Sequence, residues 1–181
     1  EKTKVIYEGV DESVKPQKNN LTEYKKKFEK ILESKYFIYA GNAYPHKNVN
    51  RLVEAIKYLN DELNIEIKLV IVTPKNYFKE KLTSYAKSIY ALHLLNFTGF
   101  LSDDELGFLY SRSVAFVYPS LEEGFGLPGL EAISNKTLLL ASDIKVFKEV
   151  YGKSAVYFNP YDFSSIQKAM FDALNYDKEA R

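Results

Sequence analysis

Residues 114–131 read VAFVYPSLEEGFGLPGLE. The first five are apolar or aromatic without a break, which is typical of a strand buried on both faces of a parallel sheet. A polar, glycine-rich loop follows, and Pro128 is well placed as the first residue of a helix. The stretch therefore predicts a strand, a loop and a helix in succession, the repeating unit of an α/β fold.

The same alternation continues along most of the chain. Further apolar runs predict strands at residues 37–40, 67–72, 94–97, 138–141 and 155–158. Apolar residues at helical spacing predict helices at residues 49–59, 76–92 and 164–174. Another helix is expected after Asp103 and Asp104, which stand where its N-cap would be. We expect a doubly wound, Rossmann-like α/β domain of three layers with a parallel sheet of about six strands.

The first part of the chain has a different pattern. The pattern of residues 5–11 predicts a short strand that ends in a turn, and a polar stretch follows at residues 15–20. Residues 21–34 have the apolar spacing of one helix, and the lysine run at 25–27 is typical of a solvated helix face. We therefore expect a linker at residues 1–20 and one domain at residues 21–181, which suits a chain of 181 residues.

Composition excludes several classes of protein. Lys and Arg number 25 and Asp and Glu 24, so the net charge gives no argument for a nucleic-acid partner or a membrane surface. The sequence has no cysteine and two histidines, which excludes thiolate metal sites and disfavours a multi-histidine site. No apolar run is long enough to cross a bilayer. We expect a cytoplasmic domain that needs no metal or cofactor, binds no nucleic acid and does not insert into a membrane.

The loop and helix start at residues 122–131 predict an anion site. Gly124 and Gly126 let the backbone approach a ligand, and the free N–H groups at the start of the helix point toward the loop. Glu123 and Glu131 flank this site; carboxylates repel a phosphate, but they accept hydrogen bonds from sugar hydroxyls. A diphosphate with a sugar at one end and a ribose at the other satisfies both conditions. The structural alternative is a glycine-rich turn with a glutamate favoured by the helix dipole.

A second loop, residues 41–48, follows the first strand of the domain. Lys47 supplies the positive charge that a diphosphate needs, and Asn42 can donate a hydrogen bond. Ligands of doubly wound sheets bind beyond the carboxyl ends of the strands, near the point where the strand order reverses. We therefore expect the two loops to face each other there.

The segment Glu123-Gly124-Phe125-Gly126, with Glu131 after seven intervening residues, resembles the Glu-x7-Glu signature of glycosyltransferase family 4. That family has the GT-B architecture of two facing Rossmann-like domains. Other segments are similar to its landmarks in the same order, namely residues 7–11, 39–48, 97–100, 118–120 and 141–143. The resemblance implies the C-terminal, donor-binding half of a GT-B enzyme, with residues 1–20 as the interdomain segment. It also implies that the N-terminal acceptor domain is absent from this chain, which alone would bind a nucleotide sugar and transfer nothing.

The resemblance implies a role for each residue of the site. Glu131 would hold the ribose hydroxyls, Glu123 would hold hydroxyls of the transferred sugar, and Glu123 and Lys47 would be the catalytic groups. The remaining donor-binding residues would contact the base at one end and the diphosphate at the other: Gly99 and Phe100, then Asn42, Gly124, Phe125, Gly126 and Leu127. Many members of the family carry an arginine where this chain has Asn42, so diphosphate binding would rest more on Lys47 and the helix start.

For the parent enzyme, the resemblance implies retaining transfer of a hexose from a nucleoside diphosphate sugar to a saccharide or lipid-linked acceptor. The loop GNAYPHKN at residues 41–48 is similar to that of mannosyltransferases of polysaccharide biosynthesis, which favours GDP-mannose as the donor. The parent enzyme would act in the cytoplasm, at the surface of the cytoplasmic membrane.

Three alternatives stay open at this point. An epimerase or phosphorylase of GT-B architecture would share the geometry of the site. A dinucleotide oxidoreductase would share the fold, but no Gly-x-Gly-x-x-Gly follows the first strand. A non-catalytic interaction domain would leave the arrangement of glycines and glutamates unexplained.

Overall fold

The computed structural model describes residues 8–9 and 14–176, and its centre is a parallel sheet of six strands in the order β3-β2-β1-β4-β5-β6. The strands are β1 (Tyr36–Ala40), β2 (Lys68–Val72), β3 (Leu95–Phe97), β4 (Ala115–Tyr118), β5 (Leu138–Ser142) and β6 (Ala155–Phe158). The order reverses between β1 and β4, which makes the gap between these two strands the topological switch point. The predicted fold class and all six strands are confirmed.

Helices cover the two faces of the sheet. They are α1 (Leu21–Lys27), α2 (Glu29–Leu32), α3 (Val49–Leu63), α4 (Tyr77–Ser88), α5 (Asp103–Arg112), α6 (Leu127–Ser134), α7 (Lys145–Tyr151) and α8 (Phe163–Leu174). α3 contacts α4 and α8, whereas α5 contacts α1 and α6. All residues of β1 and β4 are buried, as the uninterrupted apolar runs in the sequence predict.

The start of α5 differs from the prediction by one residue. Ser102 is the N-cap, and it forms a capping box with Glu105, while Asp103 and Asp104 lie in the first helical turn. The reason is reciprocal bonding, since the Ser102 and Glu105 side chains each accept from the other's backbone N–H.

Two other helices also differ from their predicted bounds. The predicted helix at 21–34 is divided at Phe28, whose backbone leaves the helical region while its buried ring packs 6.1 Å from the ring of Phe108. The predicted helix at 76–92 ends at Ser88, because Tyr90 takes a left-handed conformation with φ of 59°.

The linker prediction for residues 1–20 stays a prediction. Most of residues 5–11 lie outside the described part of the chain, and so do residues 177–181. Val14, within the predicted linker, is buried against the domain, and its carbonyl oxygen accepts a hydrogen bond of 2.6 Å from Asn135 Nδ2. A Cβ atom at position 107 would lie 2.6 Å from the same oxygen, so this close approach requires glycine there.

Asn48 joins three loops at the carboxyl ends of the strands. It lies in the loop after β1, and its Nδ2 donates to the carbonyl oxygens of Pro119 at 3.0 Å and Pro160 at 2.8 Å. These prolines follow β4 and β6. The side chain is buried, and the backbone is left-handed with φ of 58°, a conformation that asparagine tolerates better than most residues. The asparagine therefore fixes the relative positions of the three loops.

We expect Asn48→Ala to lower the free energy of unfolding by about 3 kcal/mol, because two buried carbonyls lose a donor and alanine is strained in this conformation. Asn64 at the end of α3 is a matched control, since it is exposed and has φ of 50°. Asn64→Ala should cost only about 1 kcal/mol, the conformational part alone. Urea unfolding measures both, and equal losses would contradict the role given to the Asn48 side chain.

Candidate nucleotide-sugar site

The loops after β1 and β4 meet at the switch point. The backbone N–H of Leu121 donates to the carbonyl oxygen of His46 at 2.7 Å, which bonds one loop directly to the other. This contact and the Asn48 hydrogen bonds place the residues of both loops side by side. The predicted juxtaposition of the two loops is therefore present in the structure.

Lys47 and Glu123 form an ion pair across these loops. Lys47 Nζ lies 2.6 Å from Glu123 Oε1, and the two side chains are 18% and 8% exposed. Ser120, which is fully buried, donates its hydroxyl to the same carboxylate oxygen at 2.8 Å. The sequence predicts that both charged groups belong to the site, but it does not predict that they bind each other.

The glycine-rich loop is held in place by a tyrosine from a later helix. Tyr151, in α7, donates its hydroxyl to the carbonyl oxygen of Gly126 at 2.6 Å. A Cβ atom at Gly126 or Gly129 would lie 2.2 or 2.4 Å from this hydroxyl, so neither position has room for a side chain. Gly126 also has φ of 96°, whereas Gly124 has open space around its Cβ position. The packing of the domain thus requires glycine at 126 and 129, and not at 124.

α6 begins directly beyond this tyrosine contact. Gly126 is its N-cap and Leu127 its first residue, so Pro128 is the second helical residue and the prediction of the first is wrong by one. Because the N-cap is a glycine, no N-cap side chain covers the first N–H groups of the helix. Pro128 has no N–H, and the N–H of Gly129 donates to the carbonyl oxygen of Gly126 at 3.1 Å. The N–H groups that can bind an anion here are therefore those of Gly126 and Leu127. The predicted anion site stays a prediction.

Glu131 lies one turn into α6 and is half-buried. Burial raises the pKa of its carboxyl, the charge of Asp103 raises it further, and the Tyr110 hydroxyl partly offsets both effects. Asp103 is the first residue of α5, and α5 packs against α6, which carries Glu131.

Gly99 and Phe100 precede α5 in the loop after β3. Gly99 has φ of 75°, which favours glycine, and the Phe100 ring is 91% exposed. The loop therefore presents backbone and an exposed aromatic ring near the end of the site that contains Glu131. The predicted contact of this loop with a base stays a prediction.

Asn42 lies at the other edge of the site, directly after β1. Its backbone oxygen accepts a hydrogen bond from the Tyr39 hydroxyl at 2.7 Å, and its side-chain oxygen accepts one from Asn76 at 3.0 Å. The structure thus brings Lys47, Glu123 and the start of α6 together, and places Asn42 and Glu131 on separate elements around them.

The sequence did not identify four residues that shape the site: Tyr39, Asn76, Ser120 and Tyr151. Tyr39 and Ser120 belong to the segments 39–48 and 118–120 named above, but the sequence assigns neither of them a role. Asn76 stands at a helix start, where an asparagine is usually explained by capping alone. Tyr151 is far from Gly126 in sequence, and no local pattern connects them.

We expect Lys47→Met to lower the free energy of unfolding by about 2 kcal/mol, because it leaves the Glu123 carboxylate partly buried without its cation. Adding Glu123→Gln should recover most of this loss, since no unpaired charge then remains. Chemical unfolding of the two single variants and the double variant measures the coupling. Lys168→Met, at the exposed pair with Asp172, is the control and should change stability by less than about 0.5 kcal/mol. Additive losses in the double variant would show that the pair does not act as a unit.

The pKa of the Glu131 carboxyl is expected above its ordinary value, and Asp103→Asn should lower it by removing a neighbouring negative charge. A raised pKa means that the folded domain favours the protonated form. Ionised Glu131 therefore costs stability above that pKa, and the cost disappears as the pH falls through it. An NMR titration of the side-chain carboxyl carbon measures the shift. Asp172→Asn, in α8, should leave the titration unchanged, and an equal response to both substitutions would refute the assignment to Asp103.

The described residues offer neither a metal-binding cluster nor a membrane-spanning helix. In residues 8–9 and 14–176, no cluster of three or more His, Asp or Glu side chains could hold a metal ion. Within the same ranges, each helix is too short or too polar to span a lipid bilayer.

Comparison with known proteins places the chain in a family. The profile of the family described as "Glycosyl transferases group 1" matches residues 20–181. The chain is 35% identical over 170 residues to the O-antigen chain mannosyltransferase RfbU of Salmonella typhimurium, with 94% of this chain and 44% of that protein covered. It is 41% identical over 135 residues to the serotype-specific mannosyltransferase WbdA of Escherichia coli, with 72% of this chain and 16% of that protein covered.

Solved structures agree on the fold. WaaG, a glycosyltransferase involved in lipopolysaccharide biosynthesis, superposes with a TM-score of 0.77 at 18% identity, over 93% of this chain and 46% of WaaG. The chain thus spans less than half the length of each of these three proteins. Because the profile match covers nearly the whole sequence, this chain belongs to the glycosyl transferases group 1 family, and it has the Rossmann-like α/β fold of GT-B glycosyltransferases.

Proposed function

We propose that the chain is the donor-binding domain of a retaining mannosyltransferase and that its ligand is GDP-mannose. The observation that carries the proposal is the Lys47–Glu123 ion pair at the switch point, beside the start of α6. One edge of the cleft therefore carries a cation, a carboxylate and backbone N–H donors. The mannosyltransferase names of RfbU and WbdA support the choice of sugar.

The donor would lie along the carboxyl ends of the strands. Its diphosphate binds Lys47 and the backbone N–H groups at the start of α6, which offer charge and directed donors. Glu131 holds the ribose hydroxyls, and the base lies over the loop of Gly99 and Phe100. Glu123 accepts hydrogen bonds from hydroxyls of the mannose, so that Lys47 has an anion on each side.

The same groups would assist the reaction. When the bond between the anomeric carbon and the diphosphate breaks, negative charge develops on the leaving oxygen, and Lys47 and the α6 N–H groups stabilise it. They are already in place before the reaction, so no reorganisation is required. The acceptor hydroxyl bonds to the anomeric carbon on the face from which the diphosphate leaves, and its proton passes to the departing diphosphate. Glu123 and Glu131 lie along the donor rather than on either side of the bond that breaks, which separates this scheme from the two-carboxylate mechanism of glycosidases. The proposed reaction uses no metal ion and no organic cofactor.

The acceptor would be held outside this chain. We propose that a further Rossmann-like domain binds it, since the chain spans only 44% of RfbU. The acceptor is a growing O-antigen-like saccharide or its lipid-linked precursor, by analogy with the names of the relatives. The parent enzyme would then act in the cytoplasm, at the membrane surface where such acceptors are made.

Ligand-observed NMR with GDP, UDP, ADP and NAD tests the proposal. We expect GDP to bind, and we expect Lys47→Met and Glu131→Ala each to weaken it by about tenfold, the loss of one hydrogen bond to a charged group. Lys168→Met, at the exposed pair with Asp172 in α8, is the control and should bind GDP as the unchanged chain does. Preferential binding of UDP or ADP would refute the choice of base. Binding of NAD alone, or GDP binding indifferent to both site substitutions, would refute a donor site here.

A further inference from the structure

Asn76 connects α4 to the loop after β1 through two hydrogen bonds. It is the N-cap of α4, and its Oδ1 accepts from the backbone N–H of Lys79 at 3.0 Å. Its Nδ2 donates to the side-chain oxygen of Asn42, also at 3.0 Å. The capping role accounts for the first of these bonds and not for the second.

The two bonds together set the orientation of both side-chain amides. A backbone N–H can only donate, so the atom of Asn76 that faces Lys79 is its oxygen. The Asn76 atom that faces Asn42 is then the nitrogen, which can also only donate. The Asn42 atom that accepts this hydrogen bond is therefore Oδ1, and the Asn42 Nδ2 group points away from Asn76.

The rest of the Asn42 residue is held independently of Asn76. The Tyr39 hydroxyl binds the Asn42 backbone oxygen at 2.7 Å, and the N–H of the preceding Gly41 donates to the Val72 carbonyl oxygen at 2.9 Å. The backbone is thus fixed at the carboxyl end of β1. Rotation about the side-chain torsions of Asn42, which includes a flip of its amide, is the freedom that remains, and the bond from Asn76 restricts it.

We propose that Asn76 is a positioning residue of the donor site, which holds the Asn42 amide with its Nδ2 group toward the donor diphosphate. The inference rests on the proposed function, since it requires a diphosphate at the loop of residues 41–48. An amide nitrogen donates to a phosphate oxygen, whereas the amide oxygen in the same place would repel it.

The test uses substitutions that keep the N-cap. Asn76→Ser and Asn76→Asp both retain an oxygen that caps α4, so the helix start is preserved. Serine lacks the Nδ2 group, and its hydroxyl, on a shorter side chain that is engaged at the cap, does not reach the Asn42 oxygen, so the Asn42 amide is freed. Aspartate offers a second acceptor, so the Asn42 amide turns to donate to it and presents its oxygen to the diphosphate. We expect GDP to bind several-fold more weakly to the serine variant and about tenfold more weakly to the aspartate variant, while guanosine affinity is unchanged in both.

The double variants with Asn42→Ala separate positioning from charge. If Asn76 acts through Asn42, adding Asn76→Ser to Asn42→Ala has no further effect on GDP affinity, because the group to be positioned is gone. Any loss that Asn76→Asp still causes in that background measures its negative charge alone. Calorimetric titration with GDP and guanosine gives these values, and a thermal melt of each variant confirms that it is folded.

Three results would overturn the inference. The first is an unchanged affinity for GDP in Asn76→Ser. The second is an equal loss of affinity for GDP and for guanosine in that variant. The third is a loss of GDP affinity on Asn76→Ser that is just as large in the Asn42→Ala background. A chain that binds GDP through Lys47 and Glu131 but shows any of these retains the proposed function and loses only the role of Asn76. A chain that does not bind GDP overturns both.

Discussion

The ion pair between Lys47 and Glu123 depends on a constraint that comes from the sheet itself. β1 and β4 are neighbours, but their chains leave in opposite directions across the sheet, so the loops that follow them open a cleft. The bond from Leu121 to His46 and the two bonds of Asn48 join the loops at the base of this cleft. Lys47, one residue before Asn48, is thereby held opposite Glu123. The charged pair is a consequence of how the backbone is tied together.

Tyrosine hydroxyls complete this arrangement on both sides of the switch point. Tyr39 binds the carbonyl oxygen of Asn42 in one loop, and Tyr151 binds that of Gly126 in the other. Both hydroxyls donate to backbone oxygen, and each lies where a Cβ atom of a nearby glycine would approach it. Burial raises the pKa of both tyrosines far above its ordinary value, and the charge of Glu123 raises it further, so both remain donors. Each loop is thus held by hydrogen bonds that need no ligand, and such preorganisation lowers the entropic cost of binding.

The sequence predicted the strands well because each is a short apolar run with a turn residue at its end. It predicted Lys47, Glu123 and Glu131 as site residues because glycines and a proline mark the loops that carry them. Helix ends were less accurate. The Ser102–Glu105 capping box is a local Ser-x-x-Glu pattern that the sequence does contain, whereas the break at Phe28 accompanies a contact with the distant Phe108 that no local pattern contains. The Tyr151–Gly126 and Asn76–Asn42 contacts could not be predicted. Each joins residues that are distant in sequence and that only the order of the strands brings together.

The balance of charge among the site residues limits the kind of anion that the site can hold. Lys47 faces Glu123, and Asp103 and Glu131 add two more carboxyl groups nearby. A free phosphate would meet one cation already paired and several negative groups, and its binding would be unfavourable. In the proposed binding mode, a nucleoside diphosphate sugar differs because its hydroxyls at both ends would donate to those carboxylates while neutral N–H groups and Lys47 would bind its centre. The acidic residues would then select for an anion that is flanked by hydroxyl groups, and the neutral donors of α6 and Asn42 would matter more than in a strongly basic site.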